Sequence, residues 1–119
     1  MQIGLDDDQT KVIENNKLLF IRGLAESIDE GLSLAMPHEM KLMLYKEISL
    51  GYRITIDKVV ADPKLFETCL EDILGDVGSR YVQTRIIETT EKCFNLEFST
   101  EELTLSQAIC ELKLKIDLQ

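Results

Sequence analysis

The chain has 119 residues, 45% of them hydrophobic and 29% charged, with a net charge of -9. That length suits one domain with a real core. The acidic balance opposes long-range attraction to DNA, RNA or anionic membrane, and no run of Lys and Arg offsets it. No apolar stretch approaches the length of a membrane span. The start, MQIGLDDDQT, is acidic and does not read as a secretory leader.

Asp6–Ala35 reads as one long helix. Asp6, Asp7 and Asp8 suit the positive end of the helix dipole, and no proline occurs until Pro37. Leu18, Ile21, Ala25, Ile28, Leu32 and Ala35 recur at alternating spacings of three and four, an a/d seam shorter than a coiled coil requires. Phe20, Leu24 and Leu34 widen its apolar face. The seam can pack on its own domain, or on a second copy or a partner helix.

Pro37–Leu50 is read as a second helix, with Pro37 in its first turn and Met40, Met43, Leu44, Tyr45 and Ile48 on its apolar side. Gly51 is the stop. Tyr52, Ile54 and Ile56 then alternate with polar residues, as in a short strand leading to a turn at Asp57–Ala61.

Asp62 followed by Pro63 is a helix start. Leu65, Phe66, Cys69, Leu70, Ile73 and Leu74 keep helical spacing up to Gly75, read as a stop. Gly78 permits a second turn, and Ser79 caps a further helix whose buried stripe is Val82, Ile86, Ile87 and Phe94.

Ser99 with Glu102 forms a capping-box pattern before the last segment. There Leu105, Ile109, Leu112 and Ile116 share one helical face, while Leu103, Cys110 and Leu114 fall roughly opposite. Leu112, Leu114, Ile116 and Leu118 also alternate with polar residues, a strand pattern. A helix to about Lys113 fits better. The fold expected is mainly α: about five helices in a compact bundle, in a single domain of a long N-terminal helix (6–35) and a helical core (37–115). A short β element is allowed near 52–56 or 111–118.

Chemistry is hard to find. The cysteines, Cys69, Cys93 and Cys110, form no CxxC pair and sit in apolar helical patterns, so buried, reduced, structural roles in the cytoplasm are expected. His38 is the single histidine and reads as an exposed helix start. Nucleotide-binding, hydrolase and zinc-protease signatures are missing. No catalytic residue, cofactor or metal ligand is assigned, and a non-enzymatic protein is expected. A helix-turn-helix over 62–93 would present Ser79, Arg80, Gln83, Thr84 and Arg85 to DNA, but Ser79–Cys93 has a surplus of only one basic residue. The interaction surfaces expected are Leu18, Ile21, Ile28 and Leu32 on the first helix and Leu112, Leu114 and Ile116 on the last, with a homodimer as the first partner.

From about Glu39 to Lys113 the chain resembles the Nitrosopumilus-output-domain family of archaeal proteins. The resemblance rests on Leu44-Tyr45, Gly51 with Ile54 and Ile56, Asp62-Pro63, Phe66, the run Leu70-Glu71-Asp72-Ile73-Leu74-Gly75, Ile86-Ile87, Phe94 and Phe98. It implies a small, mainly helical domain acting as an output in archaeal signalling, alone or behind receiver and sensor modules. That family has no assigned catalytic residues. Here a long N-terminal helix stands in place of a receiver, which puts direct two-component control in doubt.

Overall fold

The computed structural model describes residues 7–99 and 102–117, with side chains for 17–99 and 102–116. Asp6, Thr100, Glu101 and Leu118 therefore lie outside the described residues, as do the side chains of Asp7 and Asp8. The described elements are five α-helices and one π-helical turn: α1 (Asp7–Ala35), α2 (His38–Lys46), the π-turn (Glu47–Gly51), α3 (Ile56–Ala61), α4 (Pro63–Phe94) and α5 (Leu105–Asp117). The chain is mainly α, as its periodicities predict, and no strand occurs among the described residues.

On α1, Gly23, Ser27 and Gly31 fall at every fourth position and so share one face. That face meets the second half of α4. A methyl group placed on Gly31 would come within 2.7 Å of Ile86 Cα, and one on Gly23 within 2.8 Å of Phe94 Cζ. Between them, Thr89 Oγ1 donates to Ser27 O at 2.6 Å. The pairs Gly23–Phe94, Ser27–Thr89 and Gly31–Ile86 run in opposite chain directions, so the two helices are antiparallel.

Leu24, Ile28 and Leu32 flank the small residues and enter the core with Leu44, Ile48, Ile54, Val59, Phe66, Cys69, Leu70, Val82, Ile86, Leu105, Ile109 and Leu112. The seam thus splits. Ile28 and Leu32 are buried, whereas Leu18 is 62% exposed. The reason is length: α4 ends at Phe94, opposite Gly23, and the start of α1 runs beyond it. Phe20 packs on the Phe94 ring, with centroids 5.9 Å apart, while Leu18 and Leu19 stay exposed.

The strand expected at 52–56 is absent. Arg53 takes a left-handed conformation (φ 54), and the Ile54 amide turns back to donate to Ile48 O at 3.2 Å. Ile54 is thereby buried without a partner strand. The turn expected at 57–61 is instead helical: Thr55 caps α3, its side chain accepting from the Lys58 amide. Pro37 sits one residue ahead of α2, as its N-cap.

Asp62 and Pro63 start α4 as expected, with Asp62 Oδ1 accepting from the Leu65 amide at 3.3 Å. Gly75 is its one non-helical residue, at φ 77 and ψ 174, a region almost confined to glycine. The bend there is sharp. Glu67 Oε2 accepts from the Ser106 amide at 2.8 Å, and Gln83 Oε1 accepts from the neighbouring Leu105 amide at 3.0 Å. In a straight helix residues 67 and 83 would stand about 24 Å apart, too far for both to reach adjacent amides. The two halves of α4 therefore fold back on one another, with Glu67 and Gln83 equidistant in sequence from Gly75. The second turn expected at Gly78 does not form, because one residue suffices. Ser79 does not cap; it is buried within the helix, its Oγ accepting from Gln83 Nε2 at 2.9 Å.

Left-handed Asn95 (φ 52) closes α4, with the Leu96 amide donating to Glu91 O and the Asn95 amide to Lys92 O, a Schellman arrangement. The capping box of the last helix lies later than Ser99–Glu102. The Gln107 amide donates to Thr104 Oγ1 at 3.2 Å, and the Thr104 amide donates to Gln107 Oε1 at 2.9 Å. Residues 111–117 are helical, so the alternation there does not make a strand. Its apolar residues reflect a helix with Leu105, Ile109 and Leu112 inside and Leu114 outside.

Gly31→Ala should cost about 3 kcal/mol in denaturant unfolding, the upper end of overpacking penalties, because backbone rather than a movable side chain faces the new methyl. A loss below about 1 kcal/mol would mean that α1 and α4 separate easily.

Candidate interaction surface

The corner between α1 and α2 is held by polar side chains. Lys41 Nζ lies 3.0 Å from Asp29 Oδ1 and donates to Ser33 Oγ at 2.8 Å. Tyr45 donates its hydroxyl proton to Asp29 Oδ1 at 2.7 Å. The tyrosine bond, then the lysine, hold the Asp29 carboxyl below its ordinary range. Burial, reinforced by Asp29, pushes the Tyr45 hydroxyl well above its ordinary value.

This clamp decides how α2 is turned. Lys41, Leu44 and Ile48 form its buried arc, and Lys41 is only 7% exposed. Met40 and Met43, expected inside, are instead 51% and 71% exposed, and Leu50 on the π-turn is 69% exposed. On a helical wheel Met43 and Leu50 lie nearly opposite the buried arc. Periodicity could not reveal this, because a lysine took an inner position through partners on a different helix.

The seven residues expected to form interaction surfaces are dispersed. Ile28, Leu32 and Leu112 are spent in the core of one chain. Ile21 and Ile116 are half-buried, while Leu18 and Leu114 are exposed. The sequence reading missed Met40, Met43 and Leu50 as surface residues.

The face expected to read DNA is also broken up. Ser79 and Gln83 are buried, and Arg85 is paired with Glu88 at 3.0 Å while lying over the Tyr81 ring. Only Arg80 and Thr84 of that set are fully on the surface.

Of the three cysteines expected to be buried, only Cys69 is; Cys93 and Cys110 are exposed. Burial raises the Cys69 thiol to about 11, which keeps it protonated and unreactive. Cys93 donates to Gly23 O at 3.5 Å on the margin of the α1–α4 contact.

An open groove runs between the end of α4 and the following link. Ile87, Leu96 and Phe98 supply apolar surface, with Glu88 and Glu97 among its polar residues. Glu91, which also lines it, is engaged by the Phe98 amide at 3.1 Å. Among the described residues, no group of three or more His, Cys, Asp or Glu is placed to hold a metal ion, and no helix is long and apolar enough to cross a membrane. No protein-family model, curated protein or solved structure matches the chain.

The clamp has a pH signature. Asp29, with its carboxyl lowered, contributes fully above the ordinary carboxylate range, and its contribution fades as pH falls through the folded value. Tyr45, with its hydroxyl raised, contributes fully below about pH 10 and loses its contribution as pH rises further. Tyr45→Phe should therefore cost about 1 kcal/mol near neutrality, discounted for the exposure of Asp29. The gap between the two proteins should narrow as pH falls through the folded Asp29 value and should close and then reverse as pH rises above about 10, where the buried hydroxyl resists ionising; a constant gap would mean that the hydroxyl is not bonded to a titrating partner.

Proposed function

We propose that this protein is a non-enzymatic protein-binding module that associates with a second copy through the outer face of α2 and the π-turn. The observation that carries the reading is the outer face of α2 and the π-turn, which keeps large apolar side chains outside while a lysine takes an inner position. Lys41 is buried while Met40, Met43 and Leu50 face solvent. A surface helix on a lone domain ordinarily keeps its outer face polar. Methionine adapts its shape to a facing surface and recurs at protein-binding faces, and clustered exposed apolar side chains mark such faces. The resemblance to archaeal output domains supports a role in cytoplasmic archaeal signalling, with association as the means of output.

Light scattering tests the reading. The wild-type chain should give a mass of twice 13.6 kDa at high concentration. Kept native throughout, without unfolding and refolding, Met43→Glu and Leu50→Glu should each give a monomer with unchanged helicity, since neither side chain belongs to the core. A dimer indifferent to both substitutions, or a wild-type chain that stays monomeric, would overturn it.

A further inference from the structure

Gly75 is the sole non-helical residue between Pro63 and Phe94, and its neighbours on both sides are helical. Nothing lies within 4 Å of where its Cβ would be, so the corner is held by backbone conformation rather than by packing around the glycine. We infer that Gly75 is a hinge about which α4 opens into one continuous helix, and that the opened chain is completed by a second copy in a domain-swapped dimer.

The contacts across the hinge make this exchange self-consistent. The first unit comprises α1, α2, α3 and the first half of α4; the second comprises the rest of α4 and α5. Nearly everything that joins them is specific and repeatable. Gly31 rests on Ile86, Thr89 donates to Ser27 O, and the Ser106 amide donates to Glu67. Lys113 Nζ donates to Val60 O at the end of α3. In a swapped dimer each of these forms again, unchanged, between one copy's first unit and the other's second. Only the geometry at Gly75 differs. A short connection that must reverse the chain favours such an exchange. The straightened α4, 32 residues long, would span about 48 Å.

The exchange is independent of the α2 face, and the test keeps the two apart by placing Met43→Glu in every chain. Each protein is unfolded in denaturant, refolded over a range of protein concentrations, and then diluted and sized by light scattering. The parent chain should form a dimer in proportion to concentration, and that dimer should persist after dilution. Gly75→Ala adds a Cβ that the bent backbone tolerates poorly and the straight helix favours. It should shift the dimer-to-monomer ratio upward by on the order of a hundredfold. Three glycines inserted after Gly75 relieve the tight reversal and should give monomer at every concentration. Equal partition in the parent and the glycine-inserted chain would overturn the proposal, whether or not Gly75→Ala folds. So would a Gly75→Ala protein that folds as a monomer to the parent's extent.

Discussion

The close approach of α1 to the second half of α4 is the constraint on which the other contacts rest. Gly23, Ser27 and Gly31 remove side-chain bulk along one stripe, and the backbone of Ile86 comes up against it. At that separation Thr89 can reach a main-chain carbonyl on α1 directly. The larger neighbours Leu24, Ile28 and Leu32 are then carried into the core that all five helices share. A bulkier stripe would lift all of them outward together, because densely packed interiors do not yield locally.

Polar groups in the interior are used to fix angles rather than to perform chemistry. Glu67 and Gln83, one from each half of α4, accept from consecutive amides at the start of α5. Those amides have no partner within their own helix, and a carboxylate there is also favoured by the helix dipole. The same two bonds tie the halves of α4 together across Gly75. The start of α5 and the bend in α4 are therefore one structural feature. No buried side-chain nitrogen or oxygen is left unsatisfied among the described residues, which is what a polar interior of this kind needs in order not to cost stability. The Asp29–Lys41–Tyr45 clamp works in the same way at the surface, where it turns α2 so that its methionines face outward.

The sequence by itself determined the kind of fold and most of its punctuation. The long first helix, Asp62-Pro63 as a start, Gly75 as a break in helical conformation, Gly51 as a stop and the inner face of α5 are all local matters. Each depends on backbone preferences or on spacing within one segment, which a single chain displays openly. Tertiary structure decided which apolar residues remained outside. Leu18 is exposed because α4 ends before reaching it, and Met43 is exposed because Asp29 and Ser33 draw Lys41 inward. Gln83 is buried because it accepts from the first turn of α5, and Ser79 is bonded to Gln83 beneath it. The alternation at 52–56 came to nothing because a strand requires a neighbour and none of the described residues supplies one. These outcomes depend on where one helix ends relative to another and on bonds between residues far apart in the chain. Spacing along one helix shows which residues share a face; only the packed structure shows whether anything lies opposite that face.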